Sequence, residues 1–174
     1  MATASAEEQG IDVKSAVPAL LKVLTYDVNF DARGVGEFVI LVAGEPDKEK
    51  AERRRGLMKE LETLNVKIKA RSVRFVAAEL RDEAALQGEV DKTHASAVLA
   101  MPGTSPAGVT TISEVSQDNQ IYALALEVAM VEQALPLGVT MNGTRPQIVI
   151  NEKASKGVGA RFETTVLKLA RVIQ

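Results

Sequence analysis

The sequence predicts an α/β fold: a mostly parallel sheet flanked by helices, finished by a C-terminal antiparallel hairpin and a closing helix. The hydrophobic fraction of 46% is built from Ala, Val, Leu and Ile, with only 3% aromatics. That is the composition of helices layered on a sheet, not of an aromatic-rich β-sandwich. Apolar runs bounded by Gly and Pro alternate with amphipathic stretches every 25 to 30 residues or so, the length of a βαβ unit. Such units cross over right-handed and leave their strands parallel. At 174 residues the chain fits one domain that hides roughly 70% of the surface of its unfolded form. No repeat, linker or low-complexity tract divides it, so residues 14–174 read as a single domain behind a polar, aperiodic lead-in over 1–13.

The first element is a helix over about 15 to 27, with Ser15 as its cap, Pro18 in its first turn, and Val17, Leu20, Leu21, Leu24 and Val28 at helical spacing. "EFVILVAGEP", Glu37 to Pro46, is a continuous apolar run ended by Gly and Pro, as expected of a strand covered on both faces. From Asp47 to Thr63, Leu57, Met58, Leu61 and Leu64 define the buried face of a helix whose wet side is "KAERRRG". Val66, Ile68 and Ala70 alternate with Lys67, Lys69 and Arg71, the pattern of a half-exposed edge strand, with a short continuation near Val73 to Ala77.

A helix over Asp82 to Val90, a buried strand in "SAVLAMPG", a helix over Pro106 to Gln117 behind a Thr-Ser cap and a strand in "IYALALEV" continue the alternation. "LGVTMNGTRPQIVIN" breaks it: two apolar runs about Asn142-Gly143 form a hairpin. The last helix is placed at Phe162 to Ile173, with Phe162, Val166, Leu169, Ala170 and Ile173 on one face and Lys168 and Arg171 away from it.

A net charge of −2 supplies no field for a polyanion, so nucleic acid is not expected as a partner. The charge is uneven: residues 145–174 hold six basic against two acidic residues, a balance of +4 that leaves −6 for the rest. Zero cysteines removes thiol catalysis, thiolate metal sites and redox switching. No stretch approaches the ~20 apolar residues of a membrane span. The start "MATASAEEQG" leaves two readings open, a cytosolic chain or an exported one with its signal peptide removed and a start Met added.

Gly157-Val158-Gly159 follows a strand and precedes a helical pattern, yet position 162 is Phe and "EKASK" separates the glycines from the strand end. A dinucleotide loop needs a third small residue and a tight turn. Residues Glu152 to Lys156 therefore read as one helical turn closed by a left-handed glycine. "MPGTSPAG" is the stronger candidate: it follows a buried strand and opens a helix, where α/β sheets bind ligands, so the N–H groups of Gly103, Thr104 and Ser105 are assigned as a ligand-binding loop. Thr104 and Ser105 also suffice as a helix cap.

His94 is the only histidine and sits at a helix-to-strand turn, so neither a His-based metal site nor a relay can be assembled. The common elbow, phosphate-loop and zinc motifs are missing. Glu114, Asp118, Glu127 and Glu132 read as a solvated face, and Asn142-Gly143-Thr144 as hairpin chemistry rather than a glycosylation acceptor. No catalytic residue, cofactor or metal is assigned.

The strand end Ile150-Asn151, then Ala154, Gly159, Phe162 and "LKLARVI", resembles the C-terminal signature of the YfiR-like family of exported bacterial proteins. The hairpin before it, "PALLKVLTYDVNF" and "EFVILVAGEP" extend the resemblance over residues 16 to 173. It implies a periplasmic, non-catalytic regulator; the family's namesake represses a membrane diguanylate cyclase by binding its periplasmic sensor region, lowering cyclic-di-GMP signalling. The namesake's redox-linked cysteine pairs have no counterpart in this chain.

The leading expectation is thus an adaptor that binds a membrane-anchored signalling protein, a diguanylate cyclase or sensor kinase, through Lys153, Lys156, Arg161 and Lys168. The alternative is a small-molecule binding module of flavodoxin-like or solute-binding type using Gly103 to Ser105. An enzyme ranks third, and a homodimer sharing the edge at Val66 to Ala70 is compatible with either.

Overall fold

The computed structural model describes residues 12–174. The expected lead-in falls outside the described residues as far as position 11, while Val13 already opens a helix and is buried. This helix, α1 (Val13–Leu24), has Asp12 at its N-cap position, and the Asp12 carboxylate accepts the Ser15 hydroxyl at 2.8 Å. Ser15 is therefore not the cap, and Pro18 lies inside the helix rather than in its first turn. The carbonyl it leaves unserved belongs to Lys14, an exposed residue.

The elements that follow are a 3-10 turn (Phe30–Arg33), β1 (Phe38–Gly44), α2 (Lys48–Glu62), β2 (Lys67–Ile68), β3 (Arg71–Glu79), α3 (Glu83–Thr93), β4 (Ala97–Ala100), α4 (Pro106–Asn119), β5 (Tyr122–Ala125), α5 (Val128–Gln133), β6 (Leu137–Asn142), β7 (Arg145–Asn151), α6 (Glu152–Gly157), α7 (Thr164–Leu169) and β8 (Arg171–Ile173). Eight strands form one sheet in the order β2-β3-β1-β4-β5-β6-β7-β8. The run β3-β1-β4-β5-β6 is parallel throughout. With the two-residue β2 set aside, that run is the doubly wound 2-1-3-4-5 order of flavodoxin-like sheets, and its winding reverses between β1 and β4.

All seven residues of β1 are buried, as are all four of β4 and of β5. Phe38, Ile40, Leu99, Tyr122 and Leu124 point to one face, under α1, Leu61 of α2 and the C-terminal residues Val158, Phe162 and Val166. Leu41, Val98, Ala123 and Val149 point to the other, under Leu86 of α3, Ile112 of α4 and Val131 of α5. Each large aliphatic side chain so covered contributes about 1.5–3 kcal/mol. Asp47, Asp82 and Ser105 cap α2, α3 and α4, accepting from the N–H groups of Lys50, Ala85 and Gly108.

Four elements differ from the sequence expectation. The edge strand at Val66 to Ala70 is only β2, which turns at Lys69 (φ +53) into β3, a nine-residue strand instead of a short continuation. Arg54 is not on the wet side of α2: it is 9% exposed and its Nη1 donates to the carbonyls of Gly44 (2.8 Å) and Ala78 (3.0 Å). The strand expected to reach Val128 stops at Ala125, and the unforeseen α5 follows. The closing helix ends at Leu169, after which Ala170 turns extended and β8 pairs in parallel with β7. Leu169 is consequently 84% exposed instead of core-facing. β8 satisfies a sheet edge that β7 would otherwise leave open, a long-range gain that outweighs six residues of helix.

Candidate functional site

The winding reversal places the loops after β1 and β4 side by side at the carboxyl edge of the sheet. Glu45, immediately after β1, reaches across this junction to the start of α4. Its Oε1 accepts the Ser105 N–H at 2.6 Å and its Oε2 the Ser105 hydroxyl at 2.8 Å. Lys50 on α2 donates to the same carboxylate at 3.1 Å. Glu127, two residues after β5, accepts the Gly103 N–H at 2.8 Å. Glu127 has no basic partner among the described residues, and both carboxylates are half-buried. Burial acts to raise the Glu45 pKa, but the two Ser105 donors and Lys50 outweigh it and hold the carboxyl below its ordinary range.

The loop from Gly103 to Ser105 is thus an anion-holding loop whose anions are the chain's own. The third N–H, that of Thr104, goes to the Met101 carbonyl at 3.2 Å, and the Thr104 hydroxyl donates to the same oxygen at 2.7 Å. No backbone donor of the loop stands open. The sequence reading missed Glu45 and took Glu127 for a solvated residue; the legible signal was an acidic residue one or two places after a buried strand, in "AGEP" and again in "ALEV". Glu132 pairs with Arg171 at 3.2 Å, and Glu114 and Asp118 are exposed as expected.

The N–H groups of Val158 and Gly159 are spent within the turn, on the carbonyls of Ala154 (3.2 Å) and Lys156 (3.0 Å), and the carbonyls of Gly157, Val158 and Gly159 make the outward contacts. These carbonyls accept from the Gln120 amide (2.8 Å), from Arg33 (2.8 Å) and from the Asn29 amide (3.0 Å). Gly159 takes φ +75, and a Cβ there would stand 2.5 Å from the Gln120 side-chain oxygen. The segment is a docking strap and not a phosphate cradle. Lys153 and Lys156 on α6, Arg161 before α7 and Lys168 within it are all exposed, and none joins an ion pair among the described residues.

At the opposite, amino edge the structure assembles a buried polar knot that the sequence reading did not find. The Asp27 carboxylate, 3% exposed as a residue, accepts four hydrogen bonds. Its Oδ1 takes the N–H groups of Asn29 (3.0 Å) and Arg161 (2.9 Å); its Oδ2 takes Arg33 Nε (3.0 Å) and the Tyr122 hydroxyl (2.6 Å). Burial and then the hydrogen bond to Asp27 push the Tyr122 phenol above its ordinary range. The Arg33 guanidinium lies 4.3 Å from the centre of the Tyr122 ring, with Phe30 and Phe38 stacked alongside. His94, at φ +53, caps α3 on this same edge and is exposed. Among the described residues no cluster of three or more potential ligands could hold a metal ion, and no helix is long and apolar enough to cross a membrane.

No protein-family model and no curated protein matches the sequence. Solved structures share its fold. The ABC domain in complex with L-Trp from Streptococcus pneumonia superposes with a TM-score of 0.61 at 15% identity, over 92% of this chain and 62% of that one. A conserved domain protein from Vibrio cholerae gives 0.66 at 14% identity, over 94% and 60%. The ligand-free, open structure of a substrate binding protein with adhesive properties from Clostridium difficile gives 0.60 at 12%, over 79% and 54%. The chain therefore spans between 54% and 62% of the length of these structures, and what it shares with them is an α/β fold.

Proposed function

We propose that this protein is a non-catalytic small-molecule binding module of the solute-binding type, holding its ligand at the carboxyl edge where β1 and β4 diverge. One observation carries the reading: at that junction Glu45 spans to Ser105 while Glu127 holds Gly103. Open α/β sheets bind ligands at this place, and two of the proteins sharing the fold are described as an L-Trp complex and a substrate binding protein. The chemistry suits a zwitterion such as an amino acid. A ligand carboxylate takes the Ser105 N–H and hydroxyl in place of Glu45, and the freed Glu45 with the uncompensated Glu127 receives the ligand ammonium.

A thermal-shift panel of amino acids, nucleotides and flavins tests this. A ligand at a hundred times its Kd stabilises by about 2.7 kcal/mol, a rise of roughly 5–10 °C for a chain of this size, and Glu127→Gln abolishes the rise. A flat panel sinks the reading.

A second reading, the YfiR-like periplasmic regulator of a membrane-anchored signalling protein, is favoured by one observation: Lys153, Lys156, Arg161 and Lys168 are exposed with no acidic partners among the described residues. Retention of a membrane cyclase or sensor kinase by the immobilised protein, lost as salt rises and lost with Lys156→Glu and Arg161→Glu, is its signature. Retention unchanged by that charge reversal removes it.

A further inference from the structure

The amino edge of the sheet carries a cavity of about 270 Å³ that the carboxyl-edge reading does not use. It is lined by Phe38 and Tyr122, which open β1 and β5, by Ser96, just before β4, and by Arg33, Arg71 and His94. Three features give it a definite chemistry. Arg33 is spoken for: Asp27 neutralises it, and its other nitrogens hold the carbonyls of Gln120 (2.7 Å) and Val158 (2.8 Å). Glu37, the carboxylate on the rim, is bound by Arg74 at 2.8 Å.

Arg71 is different. It donates to two backbone carbonyls, Gly36 (2.7 Å) and Glu37 (3.3 Å), and has no carboxylate partner among the described residues. A guanidinium has five N–H donors, so three remain. The two carbonyl bonds and the Phe38 ring, 5.1 Å below, fix the plane in which those donors lie. Beside it the Ser96 hydroxyl and the His94 imidazole make no hydrogen bond to the described residues. The cleft therefore presents an oriented, uncompensated positive charge and free donors.

We propose that this cleft binds a small organic oxyanion, a carboxylate or a phosphate ester, with Arg71 as the charged anchor and Ser96 and His94 as further donors. The volume falls just below the roughly 300–1,000 Å³ of pockets for drug-sized molecules, so the ligand is smaller than these. The site is independent of the one at the carboxyl edge, and either stands if the other fails.

Because His94 is the only histidine, its ring resonances serve as an assigned probe without further labelling strategy. Benzoate and phenyl phosphate are titrated into the wild-type protein, with benzylammonium as the cationic control at matched chloride. Saturable movement of the His94 resonances with benzoate, phenyl phosphate or both, and none with benzylammonium, is the expected result; which anion saturates separates carboxylate from phosphate. Arg71→Gln weakens the binding by at least about tenfold, the loss of a charge-assisted hydrogen bond, while Arg55→Gln, an exposed charge on α2, leaves it unchanged. Equal response to the ammonium, no response to either anion, or wild-type affinity in Arg71→Gln overturns the proposal. If Arg71→Gln does not fold, the Arg71 Nε resonance of the wild type decides: it moves with the anion and not with the ammonium, or the site does not exist.

Discussion

Replacing Asp27 by Asn isolates the charge of the buried knot from its shape. In the wild type Oδ1 accepts the N–H groups of Asn29 and Arg161, and an asparagine oxygen in that position keeps both. Oδ2 faces two donors, Arg33 Nε and the Tyr122 hydroxyl. An amide nitrogen there cannot accept from either. The tyrosine hydroxyl can rotate and become the acceptor; the guanidinium cannot, so Arg33, with its side chain 13% exposed, is left as a mostly buried cation facing a donor. Breaking a buried pair from one side costs about 3–5 kcal/mol, a large part of the ~5–15 kcal/mol that holds a domain folded. At roughly 2–4 °C per kcal/mol for a chain of this length, the melting point falls by about 6–20 °C.

Urea unfolding followed by far-UV circular dichroism at neutral pH measures the loss. Arg33→Met in the Asp27→Asn background completes a double-mutant cycle, in which the second change costs less than it does alone because the partner is already gone. Tyr122→Phe, which keeps the ring over which Arg33 lies, costs about 1.5–3 kcal/mol, the range for a hydrogen bond to a charged group. A loss under about 1 kcal/mol for Asp27→Asn, or strict additivity with Arg33→Met, would refute the view that this pair ties the C-terminal strap to the sheet.

Glu45 is ordinarily a group of pKa 4.5, held lower in the fold against the pull of burial by Ser105 and Lys50. The stabilisation this implies is complete above the unfolded value and is lost as pH falls through the folded one, so the gap between wild type and Glu45→Gln in urea narrows from pH 6 to pH 3; a constant gap contradicts the assignment. A Cβ on Gly138 in β6 would collide with the Val131 side chain and come within 3.2 Å of the Ala125 carbonyl, so Gly138→Ala destabilises by about 1–3 kcal/mol in the same assay. Leu169→Glu changes stability by less than about 0.5 kcal/mol, because the side chain is 84% exposed; a loss of several kcal/mol would return it to the core and restore the long closing helix.

What the sequence discloses is what is local. The buried run of β1, the cap at Ser105, and the glycine of the hairpin each draw their signal from neighbours within a few residues. β8 has no such signal, since "LKLARVI" satisfies helical spacing and becomes a strand only because β7, some 20 residues earlier in chain order, offers an edge. Asp27 was invisible for the same reason: two of its four donors, Tyr122 and Arg161, lie 95 and 134 residues away. Arg54 was legible in principle, because 54, 57, 58 and 61 share one face of α2, but charge overrode spacing in the reading. The loop at Gly103 was placed correctly for its location, and what occupies it depended on Glu45, 60 residues from Ser105.

The two edges of the sheet differ in chemistry for one reason. In a doubly wound fold the helix N-termini gather at the carboxyl edge of the strands, where unpaired N–H groups and the positive ends of helix dipoles favour carboxylates. Asp47, Asp82, Glu45 and Glu127 all sit there on backbone N–H groups. Helix C-termini gather at the amino edge with their carbonyls, and there Arg33 binds the carbonyl of Gln120, the residue that caps α4. A ligand at the carboxyl edge must displace an acid already in place, so its affinity is reduced by the fraction of molecules in which that acid has swung away. A ligand at the amino edge meets Arg71 donors that are already oriented and unoccupied, and binds without that reduction. Removing the internal competitor with Glu45→Ala therefore tightens binding of a simple carboxylate at the Ser105 loop and leaves the His94 cleft unaffected, a contrast that tells the two sites apart in a single titration.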